Sequence, residues 1–306
     1  MQDTRIPDLE IVVVAYRGLG VLRRCLDSLA EHVLGEHRVV VHVVDNCSGD
    51  GTPDRVEQEY PWVRLHRRAG NDGFAVANNA VLRDVTAPYV LVLNPDTELR
   101  AGVLPHLLDL LGSRPDIGMV GCRLEQSDGT FDHAAKRSFP SALQALQYFL
   151  GRSGSAGGYR APHVPERGLD RVDAVNGAFM LVRTAAMREV GLFDERYWMY
   201  GEDLDWCRRF ADAGWPVWYD GRVTAVHLKG GVSGKHRSPK LNWHFHRSMA
   251  IFYATYDGGR NLAADAAVYA GIAARFVLLA GVSAAHRRRS RQRPDAGRLV
   301  PAVAGR

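Results

Sequence analysis

The sequence predicts an α/β protein with a mostly parallel β-sheet, flanking helices and a separate C-terminal helical segment. Three observations support this fold class. Short apolar runs, such as LEIVVVA at residues 9–15, alternate with longer segments of helical periodicity. Polar residues follow where these runs end, and a long alanine-rich stretch lies near the end of the chain. Continuous apolar strands separated by helices are typical of parallel sheets buried on both faces.

The first third of the chain alternates strands and helices. The predicted strands are Leu9–Ala15, Val39–Asp45, Trp62–His66 and Tyr89–Asn94, and the predicted helices are Val21–His32 and Phe74–Val85. Sheets of this kind bind ligands beyond the carboxyl ends of their strands. Residues 15–17, 45–50 and 94–96 are therefore candidate binding positions.

The middle of the chain is less regular. The predicted elements, in order, are a helix over Ala101–Leu111, a strand over Ile117–Cys122, a mobile loop over residues 151–170, a strand over Val172–Val182, a helix from Glu202 to Ala213 and a strand over Val223–Val226. The loop prediction rests on its glycine, proline and arginine content. The pair Asn176-Gly177 is expected to break the strand that contains it.

Composition excludes several classes of protein. With 306 residues and 46% hydrophobic residues, the chain is neither a disordered protein nor a small disulfide scaffold. Its four cysteines form no CxxC pair, so we predict buried, reduced side chains. The polar, acidic N-terminus MQDTRIPDLE lacks the features of a signal peptide, and we expect a cytoplasmic protein.

The positive charge is concentrated at the C-terminus. The net charge is +5, while residues 286–306 contain seven arginines and one aspartate, so the rest of the chain sums to −1. Such a tail favours anionic partners, whereas the body shows no basic surface for nucleic acid. We predict an anionic membrane surface as the partner of the tail, and no nucleic acid.

An apolar segment, Ala263–Ala285, precedes this tail. It is long enough to span a membrane, but Asp265 and Arg275 interrupt it, and an arginine near mid-bilayer costs at least about 2.5 kcal/mol. We favour a helix that lies on the membrane or packs on the body of the protein. The alternative is an alanine-rich packing or oligomerisation helix followed by a solvated tail.

Two predicted strands end close to carboxylates. Asp45 opens the sequence DNCSGDGT, where it can accept hydrogen bonds from a base or a ribose hydroxyl. Asp96 lies in NPD just past the fourth strand, where it can hold a divalent metal that is partly ligated by phosphate oxygens. Taken alone, both sequences are also ordinary turn sequences.

Three further motifs carry polar side chains. NDGFAVANN places Asn71 where it can cap a helix and puts two asparagines, including Asn79, inside that helix, where we expect one to face a polar site. GEDLD at residues 201–205 suits a helix N-terminus, and a carboxylate facing a crevice there can act as a general base. His227 is either a metal ligand or a structural histidine.

A dinucleotide-binding fingerprint is not present. Gly18 and Gly20 follow the first strand, but Arg23 occupies the position of the third glycine. The chain also contains no Walker A sequence and no G-x-S-x-G motif.

The order of the fragments is more specific than any one of them. They are IVVVAY, DNCSGDGT, NDGFAVANN, LNPDTEL, VNGAFMLVR, GLFDERYWMYGEDLDWCRR and HLKGGVS. Over residues 8–255 the chain resembles the family 2 glycosyltransferases of the GT-A fold, a Rossmann-like sheet with flanking helices. It is most similar there to bacterial rhamnosyltransferases of cell-envelope polysaccharide assembly. The resemblance implies an inverting transfer, with L-rhamnose from dTDP-rhamnose as the best match, to a saccharide or polyprenyl-diphosphate-linked acceptor.

The resemblance also assigns residues to an active site. Binding of the nucleotide-sugar donor is assigned to Ala15, Tyr16, Asp45, Asn71, Asn79, Asn94, Asn176 and Gly177. Asn94-Pro95-Asp96 stands where the family has an Asp-x-Asp metal motif, so Asp96, completed by His227, would hold Mg²⁺ or Mn²⁺. Glu202 and Asp203 form the catalytic pair, with Asp203 as the base.

These assignments divide the chain into three parts. Residues 1–100 form the nucleotide-sugar half, residues 101–240 the acceptor and catalytic half of the same domain, and residues 241–306 the C-terminal helices with the basic tail. We expect the protein to lie peripherally on the inner face of the plasma membrane. Two alternatives remain: a UDP-glucose, UDP-galactofuranose or UDP-GlcNAc donor, or a non-catalytic membrane-bound module that binds a glycan or nucleotide sugar. Retention of both Asp96 and Asp203 favours an enzyme.

Overall fold

A computed structural model describes residues 6–33, 38–139, 160–228 and 238–291, the last ten of these by their backbone alone. The described strands are β1 (Leu9–Ala15), β2 (Val39–Asp45), β3 (Arg64–Arg67), β4 (Tyr89–Leu93), β5 (Thr97–Glu98), β6 (Met119–Glu125), β7 (Lys136–Arg137), β8 (Leu169–Arg171), β9 (Ala174–Val175), β10 (Phe179–Arg183) and β11 (Val217–His227). The described helices are α1 (Leu19–His32), α2 (Thr52–Glu59), α3 (Phe74–Leu82), α4 (Val103–Ser113), α5 (Thr184–Val190), α6 (Glu202–Asp212), α7 (Pro239–Tyr256) and α8 (Leu262–Arg291).

The main sheet confirms the predicted α/β class. Its strands lie in the order β3-β2-β1-β4-β10-β6-β11-β5, and β8 pairs with β11. The four strands from β3 to β4 are parallel, whereas β10 runs antiparallel to both of its neighbours. The apolar run FMLVR is compatible with either direction, because strand direction depends on the partner strands.

One continuous hydrophobic core holds this sheet. Every residue of β1 is buried, and its apolar side chains belong to one cluster with those of β4 and of helices α1, α3 and α4. Burial of each Leu or Val side chain contributes about 1.5–3 kcal/mol, so the centre of the sheet is rigid. The carboxyl ends of β1, β2 and β4 therefore meet at one fixed edge.

Several features differ from the sequence prediction. Helix α2, which begins at Thr52, has no counterpart among the predicted elements, whereas the predicted strand over Val172–Val182 is broken at Asn176-Gly177 as expected, into β9 and β10. Residues 151–159 of the predicted mobile loop lie outside the described residues, and β8 begins within the remainder. The four cysteines are free thiols, but Cys47 is exposed because its backbone turns with φ 64° in the loop after β2.

Helices α7 and α8 pack against each other. The hydroxyl of Tyr253 donates to Asp265 Oδ1 over 2.8 Å, and Arg275 Nη1 lies 3.2 Å from His246 Nε2. Both charged residues of the apolar part of α8 are thus satisfied by α7. Among the described residues, one helical segment, Leu262–Gly281, is long and apolar enough to cross a membrane, with a mean hydropathy of 1.7 and 6% of it buried.

Candidate active site

The end of β2 presents a carboxylate with spare hydrogen-bonding capacity. Asp45 is 3% exposed, and its Oδ2 accepts a hydrogen bond from the backbone N–H of Ser48 at 3.2 Å. Its Oδ1 is buried with no hydrogen-bond partner. An unpaired buried acceptor is costly, so this oxygen suits a hydroxyl or N–H donor from a ligand.

The end of β1 is tied to the loop that follows Asp45. The carbonyl of Ala15 accepts the N–H of Asn46 at 2.8 Å, and the N–H of Arg17 donates to Ser48 Oγ at 2.7 Å. Arg17 has a positive φ of 62°, and its guanidinium lies over the half-buried Tyr16 ring, 5.2 Å from the ring centre. The structure therefore places Ala15, Tyr16 and Asp45 together, as predicted from the sequence.

Asn46 joins this edge to the loop before α3, a role that sequence reasoning missed. Its Nδ2 donates to Asn71 Oδ1 and to the carbonyl of Gly73, both over 3.1 Å, while its Oδ1 accepts the N–H of Asp72. Asn71 thus fixes the loop and does not cap α3, whose N-cap is Gly73. Gly73 has φ 91°, and a Cβ there would lie 2.2 Å from the carbonyl oxygen of Trp198, so only glycine fits.

Asn79 does not join the site, so its assignment to donor binding is corrected. Its Nδ2 donates to the carbonyl of Phe193 at 2.9 Å and to Glu195 Oε1, and its Oδ1 accepts the N–H of Phe193. The side chain is 1% exposed. Asn79 therefore connects α3 to the segment after α5 by hydrogen bonds, and these bonds explain why a polar residue lies inside an apolar helix.

The end of β4 lies against the short turn between β9 and β10. The N–H of Asn94 donates to the carbonyl of Ala178 over 3.1 Å, and the hydroxyl of Thr97 donates to the same carbonyl. Asn176 Oδ1 accepts the N–H of Ala178 at 2.8 Å. Since β10 is antiparallel to β4, its first residue lies at the last residue of β4, which brings Asn94 beside Asn176 and Gly177.

Asp96, His227 and Asp132 form a buried cluster next to this turn. Thr97 of β5 pairs with His227 of β11, which places His227 Nε2 3.4 Å from Asp96 Oδ1. His227 Nδ1 lies 3.3 Å from Asp132 Oδ2. Burial alone lowers the pKa of His227, but the hydrogen bonds to Asp132 and Asp96 outweigh it and raise the pKa to about 9. No sequence motif marks Asp132.

The donor set of this cluster fits a divalent cation that is completed by a ligand. His227 Nε2 and Asp96 Oδ1 face each other, and Asp132 holds the opposite ring nitrogen, as carboxylates commonly do for metal-binding histidines. Within the described ranges, no three or more His, Cys, Asp or Glu side chains could hold a metal ion by themselves. The remaining ligands would be phosphate oxygens and water, the usual coordination of Mg²⁺.

Asp203 lies on the other side of the turn between β9 and β10. Its Oδ2 accepts hydrogen bonds from the N–H of Gly177 at 3.1 Å and from Arg137 Nη2 at 2.6 Å. Its Oδ1 accepts the N–H of Leu204 at 2.8 Å. Asp203 is buried in the first turn of α6, and the buried Arg137 on β7 holds it in place. Sequence reasoning missed Arg137.

The other two carboxylates in the first turn of α6 have different surroundings. Asp205 pairs with Arg209 at 2.9 Å and accepts the hydroxyl of Tyr256 at 2.8 Å. Glu202 is buried, and its Oε2 has no hydrogen-bond partner. Burial and, next, the charge of Asp203 raise the pKa of Glu202 to about 8. Glu202 and Asp203 therefore face the same region, whereas Asp205 serves the packing of α7.

The arrangement has a clear chemical capability. The backbone between Asn176 and Ala178 contacts both Thr97, which follows Asp96, and Asp203. The Asp96–His227 pair and the Asp203 carboxylate thus lie beside the same turn, and the unpaired oxygen of Asp45 lies at the end of β2, which β1 separates from β4. Such a site can neutralise an anionic leaving group and accept a proton from an attacking hydroxyl.

Comparison with known proteins agrees with this geometry. The family model described as Glycosyltransferase like family 2 matches residues 7–245. The chain is 33% identical over 267 residues to the N-acetylglucosaminyl-diphospho-decaprenol L-rhamnosyltransferase of Mycobacterium tuberculosis, and the match covers 82% of this chain and 85% of that protein.

Solved structures with low sequence identity share the fold. The mannosyltransferase PcManGT from Pyrobaculum calidifontis, in complex with GDP-Man and Mn²⁺, aligns with a TM-score of 0.57 and 18% identity over 95% of this chain and 82% of that one. GalNAc-T7 with UDP, GalNAc and Mn²⁺ aligns with a TM-score of 0.58 and 15% identity over 83% of this chain. The chain spans about half the length of GalNAc-T7, 51% of it.

Proposed function

The chain belongs to the family 2-like glycosyltransferases of the GT-A fold, and from this premise we propose that it transfers L-rhamnose from dTDP-rhamnose to a polyprenyl-diphosphate-linked saccharide. The observation that carries the proposal is the meeting of Asp96 and His227 with Asp203 at one turn. The sugar and the acceptor are inferred from the printed name of the M. tuberculosis relative.

We propose that the residues of this site have separate roles in a single displacement at the anomeric carbon of the donor sugar. Asp45 and Tyr16 bind the nucleoside, with the unpaired Asp45 Oδ1 as an acceptor for its hydroxyl or N–H groups. Asp96 and His227 would hold a divalent ion, Mg²⁺ or Mn²⁺, which would supply positive charge to the diphosphate. Asp203 takes the proton of the acceptor hydroxyl as its oxygen bonds to the anomeric carbon, and the bond from that carbon to the diphosphate breaks. One displacement inverts the configuration of that carbon.

We propose the same division of the chain as above, with residues 1–100 for the donor and 101–240 for the acceptor and the base. The described contacts support it, because Asp45 and Asp96 precede residue 100 and Asp203 follows it. His227 of the second part contacts Asp96 of the first, through the pairing of β11 with β5.

A thermal-shift screen with Mg²⁺ or Mn²⁺ tests the donor. A ligand that binds the native state alone at about 100 times its Kd stabilises by about 2.7 kcal/mol, so dTDP-rhamnose should raise the Tm by about 5 °C or more. UDP-glucose, UDP-galactofuranose and UDP-GlcNAc should raise it less. A larger shift with a UDP sugar assigns another donor, and a shift with neither hydrolysis nor transfer of the sugar supports a binding module.

We also propose that α8 places the enzyme on the inner face of the plasma membrane. Its exposed side is apolar, with Leu262 86% exposed and Val277 and Leu278 exposed to 66% and 68%. The two charged residues of its apolar part, Asp265 and Arg275, contact α7, and Trp243 on α7 is 54% exposed. An apolar face next to an arginine-rich tail is typical of helices that lie on anionic membranes.

Binding to lipid vesicles should depend on both features of this segment. Neutralising four tail residues as R287Q/R288Q/R289Q/R291Q should weaken binding to phosphatidylglycerol vesicles by about 100-fold or more, because each basic residue near the surface contributes about 1 kcal/mol. High salt should mimic this loss, and V277E/L278E should also release the protein. Phosphatidylcholine vesicles serve as the control. The proposal is contradicted if vesicle binding is unchanged both by the arginine substitutions and by V277E/L278E. It is also contradicted if the protein is a dimer that V277E/L278E dissociates.

A further inference from the structure

The first turn of α6 carries three buried carboxylates, and two arginines accompany them. Asp205 has Arg209 from its own helix, and Asp203 has Arg137 from β7. Glu202 is left with an unpaired oxygen. Negative charges this close repel each other when buried, so each of the two arginines offsets part of that repulsion.

The position of Arg137 is set by a small sheet outside the main one. β7 pairs antiparallel with β9, where Lys136 lies opposite Val175 and Arg137 opposite Ala174. Arg137 is 8% exposed, and its Nη2 donates to the carbonyl of Val175 as well as to Asp203 Oδ2, both over 2.6 Å. The guanidinium is therefore anchored next to Gly177, the backbone donor to the same carboxylate oxygen.

We propose that Arg137 is a positioning residue that balances the charge of Asp203 and keeps it aimed at the acceptor hydroxyl, an inference that rests on the proposed function. Arg137 and Gly177 occupy Oδ2, whereas Oδ1 accepts the N–H of Leu204. A carboxylate oxygen can accept two hydrogen bonds, so Oδ1 retains room for a hydroxyl. The arginine thus fixes the charge and orientation of the carboxylate through one oxygen and leaves the other for chemistry.

The charges around Asp203 predict the consequence of losing Arg137. Glu202 and Cys207 on α6 lie close enough to Asp203 for its charge to raise their pKa values, and Arg137 on β7 contacts it directly. Arg137 is the cation in direct contact, so its removal disfavours the ionised form of Asp203. The loss of this positive charge should therefore show in the acid limb of the pH profile of kcat.

The pH dependence of kcat separates this role from a general loss of stability. In R137M the midpoint of the acid limb should rise by about one pH unit or more, and kcat should recover towards the wild-type value at alkaline pH. R137K should give an intermediate midpoint, because lysine keeps the charge but not the forked geometry. The KM for the donor should change by less than about threefold, since Arg137 lies on the side of the base.

Lys136 provides a matched control on the same strand. It is 5% exposed, and its Nζ donates to the carbonyls of Arg160 and Ala161 at 3.2 and 2.7 Å, away from Asp203. K136M also removes a buried cation from β7, so it should lower the Tm without moving the acid limb. If R137M lowers kcat equally at every pH, as a loss of folding would, or if K136M moves the limb as far, the inference is overturned.

A cycle of unfolding measurements tests the ion pair without activity. R137M leaves a buried carboxylate unpaired, and the double variant R137M/D203N removes that charge, so its Tm at pH 7 should exceed that of R137M by about 3 °C or more. Additive losses overturn the inference. If the wild type transfers no sugar from any donor tested, the proposed function fails, and this cycle alone then decides whether Arg137 holds the charge of Asp203.

Discussion

Replacing Asp203 by asparagine should lower kcat by about 100-fold or more while leaving donor binding intact. Asparagine keeps the size of the side chain and can still accept from Gly177 N–H, but it cannot take up the proton of the acceptor hydroxyl. A loss of 100-fold corresponds to about 2.7 kcal/mol of transition-state stabilisation. The check is steady-state transfer with the donor KM and the Tm measured in parallel.

Two neighbouring carboxylates serve as controls for this substitution. Asp205→Asn removes a charge from the same helical turn, but Asp205 bonds Arg209 and Tyr256, so the expected loss is in Tm and not in kcat. Glu202→Gln should cost less than Asp203→Asn if Glu202 supports the site without accepting the proton. Near-normal kcat in Asp203→Asn with a large loss in Glu202→Gln would move the base to Glu202.

Replacing Asp96 by alanine should abolish the effect of divalent metal on donor binding. Asp96 supplies the one carboxylate left in Asn94-Pro95-Asp96, and His227 Nε2 faces it at 3.4 Å. Without that oxygen, a divalent ion would keep one protein ligand at this point. We expect no thermal shift by nucleotide sugar with Mn²⁺ beyond that seen with chelator, and transfer too slow to measure above background.

Asp132 offers a graded comparison for the same site. Asp132→Asn leaves the ring of His227 a hydrogen-bond partner but removes the carboxylate that orients it, and changes of this kind cost about 10–100-fold in metal affinity. Saturating Mn²⁺ should therefore restore Asp132→Asn and not Asp96→Ala. Equal turnover of Asp96→Ala and wild type, with and without chelator, would show that no metal at Asp96 is needed.

Local sequence predicted well where the first strands end. Asp45 and Asp96 follow runs of buried β-branched and leucine residues, and both lie at one edge of the sheet as expected. Asn71 and Asn79 show where the same reasoning fails. A polar residue beside a loop or inside an apolar helix can form its hydrogen bonds with a distant segment of the chain. The local sequence does not show which segment that is.

The sequence by itself determined the α/β class, the ends of the first strands, the helix start at Glu202 and the apolar segment near the C-terminus. Each of these is recorded locally, because burial periodicity and helix-end chemistry act over a few neighbouring residues. Tertiary structure alone decided the reversal of β10, the pairing of Asp132 with His227 and the pairing of Arg137 with Asp203. These contacts join residues 95 and 66 positions apart, so they depend on which strands pair, and packing of the whole sheet selects that pairing.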